Sequence, residues 1–399
     1  MEEKTQIQTP YFLIHENELQ RNIQVFRDAL STYWPNSVFS YSVKTNSLPW
    51  MLKYLKGLGS IYAETVSDDE YQLARLCGFE GSEIIYNGPI KSEKQLRHAC
   101  VGGSVINIDS KRELDFFESE HPTVNGALGL RLNIDESIFN QEDVGFHEEG
   151  FRFGFCQENG EFGDALERIS SIYPNMRIGL HLHVNTATRS VDSYRQIAKY
   201  AGKIIQKYHM DPVYIDIGGG YFGGVPGKPS APDYLKVIRE ELERVVNPKE
   251  TALIVEPGSA IIGSVVDIVS TVVDVKDTNK TRIVTTDTSR LHIDPVWQKK
   301  NYFYVVKESE AGMSLREIIP HQVICGFTCM DRDRIMVLEN QGALSIGDRL
   351  VFHRVGNYTV TLGGMFIRTL PEVYLETMDG SVKCVRHKLS MEDYIKIEE

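Results

Sequence analysis

The 399-residue sequence is short of several things at once. No run reaches the 18 or more apolar residues that a membrane-spanning helix requires, and no block of Lys and Arg stands out. With 43 basic against 55 acidic residues the net charge is -12, a field that repels nucleic acid and anionic lipid surfaces, so neither is expected as a partner. The N-terminal stretch MEEKTQIQTPYFLIHENELQ carries acids where a secretory signal needs positive charge, and a cytoplasmic location is the expectation. Cysteine is sparse and unpatterned. Cys77, Cys100, Cys156, Cys325, Cys329 and Cys384 show no CxxC spacing, and a chain of this size needs no covalent staples, so free thiols are expected. Internal repeats and low-complexity linkers are also missing. What remains, with 42% hydrophobic and 25% charged residues, is ordinary globular composition, and the length suits two domains.

From residue 38 to 259 short apolar runs rich in β-branched residues alternate with stretches of helical period. The runs are VFSYSVK (38–44), IYAETV (61–66), EIIYNGP (83–89), SVINIDS (104–110), ALGLRLN (127–133), MRIGLHLHVN (176–185), PVYIDIGGG (212–220) and ALIVEPGS (252–259). Between the sixth and seventh, Val191, Tyr194, Ile197, Ala198, Ala201, Ile204, Ile205 and Tyr208 recur at three and four residues, the mark of a helix with one apolar face. Eight doubly buried strands, each followed by a helix, predict a closed (β/α)8 barrel of the α/β class. An open doubly wound sheet fits less well, because the glycine cluster follows the seventh run and not the first. After residue 262 the runs are β-rich and separated by turn signals such as Asp379-Gly380, predicting an antiparallel β domain. The expected division is a barrel over residues 12–262 and a β domain of residues 1–11 and 263–399. The first dozen residues could also add a strand to the barrel.

The active site of such a barrel lies at the carboxyl ends of its strands. Lys44 closes the first run, where partial desolvation lowers the amine pKa and suits it to a Schiff base. Gly218, Gly219 and Gly220 close the seventh, where successive backbone amides can make a phosphate nest; a tight strand-to-helix turn would use the same residues. Glu256 closes the eighth, and a buried carboxylate there needs a partner such as a protonated ring nitrogen or a basic side chain. His181 and His183 share one face of the sixth. A metal would want a third ligand and a suitably spaced carboxylate that this stretch lacks, so no metal is expected and an imidazole stacked on a flat cofactor is the better use.

These features together describe a pyridoxal phosphate site, and six segments in order resemble the alanine racemase-fold pyridoxal-phosphate decarboxylases, the group of the ornithine, diaminopimelate and arginine enzymes. Tyr41-Ser42-Val43-Lys44-Thr45-Asn46 resembles YAVKAN, His183-Val184-Asn185-Thr186 resembles HVGS, and Asp216-Ile217-Gly218-Gly219-Gly220 matches DIGGG. Glu256-Pro257-Gly258 matches EPG, Gly326-Phe327-Thr328-Cys329 resembles the GPTC box, and Gly356-Asn357-Tyr358-Thr359 resembles GAYT. The resemblance implies that Lys44 holds the cofactor as an internal aldimine, His183 stacks on its ring, and Glu256 pairs with the pyridine nitrogen. It further implies that Gly218, Gly219, Gly220, Thr186 and Tyr358 bind the phosphate and that Arg131 lies near the ring hydroxyl. Cys329 would reprotonate the substrate in the other subunit's site, making a homodimer with shared sites.

Departures from the family pattern fall on the substrate side. Ser259 stands where EPGR has its arginine, and Met330 where amine-forming members have an acidic residue, although Asp331 follows. Asp331 is therefore carried as a substrate contact, and Arg290 and His292 as holders of a substrate carboxylate. Decarboxylation of an amino acid or amino-acid conjugate is the expected activity. A racemase on the same fold is disfavoured by Thr45-Asn46-Ser47-Leu48-Pro49 after the lysine and by the cysteine box. A non-catalytic pyridoxal phosphate carrier, which resembles the barrel alone, is disfavoured by the β domain with Cys329.

Overall fold

The structure, a computed structural model, describes residues 7–144, 150–299, 301–309 and 316–397. The chain divides into two compact units, Arg21–Ile261 and a second made of Met1–Gln20 with Ile262–Glu399. The division lies nine residues further along than the expected N-terminal boundary, at Gln20/Arg21, so the first strand, β1 (Tyr11–His15), falls in the second unit.

The unit Arg21–Ile261 is a closed parallel barrel. Its strands are β2 (Ser37–Ser42), β3 (Tyr62–Thr65), β4 (Ile84–Tyr86), β5 (Val105–Ile108), β6 (Ala127–Arg131), β7 (Gly179–His181), β8 (Tyr214–Asp216) and β9 (Ala252–Val255), in spatial as in chain order. Closure comes from β9 against β2, with Val38 opposite Ile254. Each strand coincides with one of the eight apolar runs, because a strand covered on both faces has no polar alternation to blur its limits. The intervening helices start where short polar side chains can take a free backbone N–H. Ser67 accepts from Glu70 N at 3.2 Å, Ser190 from Ser193 N at 3.0 Å, and Ser230 with Asp233 forms a capping box ahead of Ala231–Leu242. The helix Val191–Lys207 buries Tyr194, Ile197, Ala198, Ala201, Ile204 and Ile205, the face its period predicts. Inside the barrel Tyr214 packs with Ile85 and Ile254 and reaches β7 so closely that a Cβ at Gly179 would run into its ring. A large side chain opposite a glycine fills the barrel without strain.

The other unit is a nine-stranded mixed sheet. After β1 come β10 (Val266–Asp277), β11 (Arg282–Thr286), β12 (Phe303–Lys307), β13 (Ile318–Cys325), β14 (Arg334–Gly342), β15 (Arg349–His353), β16 (Glu372–Glu376) and β17 (Val382–Arg386). The main path runs β14-β13-β11-β10-β1-β16-β17, with β15 pairing β10 and β12. Among the described residues of the first dozen, none adds a strand to the barrel. Tyr11 lies opposite Val269 of β10 and, in the parallel sense, opposite Glu372 of β16, which buries Phe12 and Ile14. Two pairings, β1 with β16 and β11 with β13, are parallel, so the expected antiparallel sheet is antiparallel only for the most part. Neither pair is joined by a hairpin, and without one nothing imposes the antiparallel sense.

One charged cluster stitches this sheet. His15 Nδ1 donates to Glu376 Oε2 at 2.6 Å and its Nε2 to Asp267 Oδ2 at 2.9 Å, while His353 Nδ1 lies 2.8 Å from the same Asp267 oxygen. The hydrogen bond to Asp267, more than burial opposes it, raises the His15 pKa to about 9. Among the described residues no helix is long and apolar enough to cross a membrane.

Candidate active site

The carboxyl ends of β2 to β9 collect a buried polar network whose members come from almost every strand. Lys44 sits in the 3-10 turn Val43–Thr45 directly after β2, and its Nζ donates to Glu64 of β3 at 2.8 and 3.1 Å. Glu64 is 1% exposed and also accepts from Ser42 Oγ at 2.5 Å. Asn87, after β4, donates to Glu64 Oε1 at 3.2 Å and to Glu256 Oε1 at 2.7 Å, so one amide bridges the two carboxylates. Asn107 of β5 then donates to Asn87 Oδ1 at 2.8 Å and Asp216 Oδ2 at 3.1 Å, and accepts from the Tyr214 hydroxyl at 2.7 Å.

Three carboxylates thus share one buried pocket, with Lys44 paired to Glu64. Burial, then the neighbouring Asp216 and Glu64 charges, push the Glu256 pKa well up, and burial raises Asp216 as well. The consistent proton placement has Glu256 donating to Asp216, whose Oδ1 accepts from Gly218 N at 2.9 Å. A group that enters with a basic nitrogen can take that proton and leave Glu256 charged beside it, the new cation offsetting the repulsion between the Glu256 and Asp216 anions.

His181 and His183 part company. His181, 1% exposed, is held neutral by burial and by the nearby Arg131, and neither of its ring nitrogens has a hydrogen-bond partner among the described residues. Its ring lies with Asp216 and Glu256, the ligand atoms of all three within 4.8 Å of one another. That trio could hold a metal, and it supplies the carboxylates missing around the two histidines in the sequence. Its unpartnered imidazole equally suits a polar ring. His183 is half-buried and neutral, lowered by burial and then by Lys44, Arg131 and Arg189. Gly219 N donates to its Nδ1 at 3.2 Å, which fixes the tautomer with the proton on Nε2.

The glycine turn owes its composition to this packing. Gly218 has φ +68° and a Cβ there would strike the His183 ring. Two amides of the expected nest are already engaged, Gly218 N with Asp216 and Gly219 N with His183. Thr186 is buried and its Oγ1 accepts from Arg189 N at 3.2 Å. Arg131, ending β6, pairs with Asp109 at 2.7 Å, donates to His183 O at 3.3 Å and lies over the Phe153 ring at 4.5 Å. Its Nε has no partner among the described residues.

The remaining expected residues lie in the β unit. Asp333, 2% exposed, organises the loop that carries Cys329, accepting from Thr328 N and Oγ1 at 3.1 and 2.7 Å and from Arg290 N at 2.8 Å. Cys329 and Asp331 are exposed on that loop. Arg290 is not a waiting cation, because Asp294 pairs with it at 3.0 Å and it lies over the Trp297 ring at 4.6 Å. Burial lowers the His292 pKa to about 4 and Thr288 Oγ1 lies 3.3 Å from Nδ1, so the ring is neutral and brings no charge to a substrate carboxylate. Tyr358 is half-buried, with φ +62°, ahead of the short helix Thr359–Leu362.

Residues given no role in the sequence reading are Glu64, Asn87, Asn107, Asp109 and Asp216. Each lies within one residue of the last residue of a barrel strand, so the strand-end rule applied to every strand finds them.

Comparison with known proteins places this arrangement. The family model described as pyridoxal-dependent decarboxylase, pyridoxal binding domain, matches residues 16–263. A probable chloroplastic diaminopimelate decarboxylase of Oryza sativa subsp. japonica is 26% identical over 404 residues, covering 97% of this chain and 79% of that protein. Diaminopimelate decarboxylase of Aquifex aeolicus is 24% identical over 411 residues, covering 97% and 90%. Among solved structures, diaminopimelate decarboxylase from Helicobacter pylori complexed with L-lysine superposes with TM-score 0.80 at 21% identity over 98% of this chain and 97% of that one. The arginine decarboxylase of Paramecium bursaria Chlorella virus does so with TM-score 0.77 at 20% identity over 93% and 97%.

Proposed function

The chain belongs to the pyridoxal-dependent decarboxylases, and from that premise we propose that it removes a carboxyl group as carbon dioxide from an amino acid or amino-acid conjugate, with Lys44 as the cofactor-holding lysine. The observation that carries the assignment of residues is the coincidence, in one barrel mouth, of Lys44 against Glu64 and of the proton-sharing pair Glu256 and Asp216 beside an unpartnered His181. That donor set fits pyridoxal phosphate. When bound, the cofactor supplies a carbonyl for amine exchange and a conjugated ring that takes up the electron pair left by departing carbon dioxide.

The protein's own part follows from charges and positions. Glu64 holds the Lys44 ammonium in place and can accept charge from it, so that amine exchange starts from one orientation. Glu256 holds a proton at the pocket floor, ready to be shared with a ring nitrogen. His183, neutral and with a fixed tautomer, offers a flat face and no competing charge. Arg131, oriented by Asp109, can donate to the ring hydroxyl, while Gly220, Thr186 and Tyr358 bind phosphate. Cys329 of the partner subunit returns a proton to the substrate carbon; its exposure on a loop held by Asp333 supports that role, and a homodimer follows. Six free thiols among the described residues suit a reducing, cytoplasmic setting.

The substrate is a small amino acid or conjugate, and relatives have been crystallised with the small molecules L-lysine and agmatine. With Arg290 paired and His292 neutral, recognition of a distal carboxylate needs Arg290 to exchange Asp294 for substrate. The test is carbon dioxide release from a panel of L- and D-amino acids and their conjugates with hydroxycarboxylic acids. Release from at least one member, lost in Lys44→Ala, is expected; release that survives Lys44→Ala would refute the assignment.

A further inference from the structure

The hairpin of β16 and β17 ends the nine-stranded sheet, and β17 pairs with β16 alone among the described residues. At its open end, away from the Asp379-Gly380 turn, three side chains of different chemistry converge. Glu372 is the first residue of β16, Cys384 is the middle residue of β17, and His387 stands one residue past that strand. His387 Nδ1 is 3.5 Å from Cys384 Sγ and 3.6 Å from Glu372 Oε1. All three atoms lie within 4.8 Å of one another.

Residues three apart on a regular strand point to opposite faces, so Cys384 and His387 need a device to address one point. The register provides it. Val373 lies opposite Arg386 but Tyr374 lies opposite Cys384, which leaves Val385 as an extra, bulged residue that re-aims the chain.

Hydrogen bonding does not account for the convergence. If the Cys384 thiol donates to Nδ1, that nitrogen has no proton for Glu372, and its lone pair faces a carboxylate. If Nδ1 carries the proton, it makes only a long ion pair with Glu372 at 3.6 Å and the thiol loses its acceptor. A cation between them satisfies all three. For zinc, bond lengths of about 2.3 Å to sulfur, about 2.0 Å to nitrogen and about 2.0 Å to oxygen in a tetrahedron put ligand atoms roughly 3.3–3.6 Å apart, close to the two distances from His387 Nδ1.

We infer that Glu372, Cys384 and His387 form a surface site for a divalent metal of the zinc class, bound by thiolate, imidazole and carboxylate with a fourth position open to water. The other Glu372 oxygen accepts from the Tyr374 hydroxyl at 2.6 Å, which orients the carboxylate as outer-shell partners of metal ligands do. His387, with 84% of its side chain exposed, gives the ion a path from solvent. Binding ties β16 to the segment after β17 and closes the base of an edge hairpin. No residue assigned to decarboxylation takes part, so the two readings stand or fall separately.

The test uses the cofactor-loaded protein, treated with chelator, dialysed and titrated with Co2+ and then Zn2+. One equivalent of Co2+ should produce a thiolate-to-metal charge-transfer band, and one equivalent of Zn2+ should bleach it. Cys384→Ser should abolish the band, and His387→Ala and Glu372→Gln should each weaken Co2+ binding tenfold or more, with unchanged circular dichroism. No band in the wild-type protein, a band that survives Cys384→Ser, or a band indifferent to both other substitutions would each overturn the site.

Discussion

At the scale of single residues, function turns on how few charges the barrel mouth admits. Glu256 is 2% exposed and its carboxyl is pushed up by burial and by Asp216, which favours its protonated form until a basic group takes the proton. Glu256→Gln preserves size and the contact with Asn87 but cannot make that transfer. Turnover should fall on the order of 100-fold or more, as on loss of other preorganised electrostatic groups, while cofactor binding persists. Steady-state kinetics on cofactor-saturated protein checks this, and near-normal turnover would remove Glu256 from its role. The sequence made Glu256 and Lys44 visible because each ends an apolar run. It left the state of His292 and Arg290 hidden, since Asp294, Trp297 and the burial that neutralises His292 are tertiary facts.

At the scale of elements, two ion clusters hold strands and loops in register. Lys91 and Glu113 are both fully buried, 2.9 Å apart, and Glu113 also accepts from Asp109 N at 2.9 Å. Asp109 in turn orients Arg131. Lys91→Met should cost about 3–5 kcal/mol by leaving Glu113 buried without its cation, and the double change with Glu113→Gln should recover much of the loss. Denaturant melts of the two variants decide it; equal destabilisation in both would contradict the account. The His15 cluster makes a pH prediction. A histidine raised from its usual 6.5 to about 9 contributes stability that is whole below pH 6.5 and disappears as pH rises through about 9. With a quarter of its side chain exposed, His15 should be worth about 2 kcal/mol. The stability gap between wild type and His15→Ala, from urea unfolding, should therefore shrink between pH 6.5 and 9.5, and a constant gap would deny the linkage. The eight barrel strands were legible because double burial leaves unbroken apolar runs. The placement of β1 was not, because Tyr11–His15 is just as apolar beside β10 and β16 as it would be in a barrel, and only long-range pairing decides.

At the scale of the whole molecule, the proposal requires two chains. If each site borrows Cys329 of the partner subunit, Lys44→Ala and Cys329→Ala proteins should each be nearly inactive, yet mixing them with subunit exchange should restore up to about a quarter of wild-type sites. Half of randomly mixed dimers are heterodimers, and each has one intact site. Exchange without recovery would place Cys329 within its own chain or outside the chemistry. The family and the barrel could be read from six short motifs. The sharing of sites rests on one of them, which is why this mixing experiment carries weight. The central claim, that Lys44 is the residue holding the cofactor, has a more direct test. Borohydride reduction of the pyridoxal phosphate-loaded protein, followed by peptide mass mapping, should find the cofactor fixed to Lys44 alone. Label on another lysine, or none on Lys44, would contradict the account.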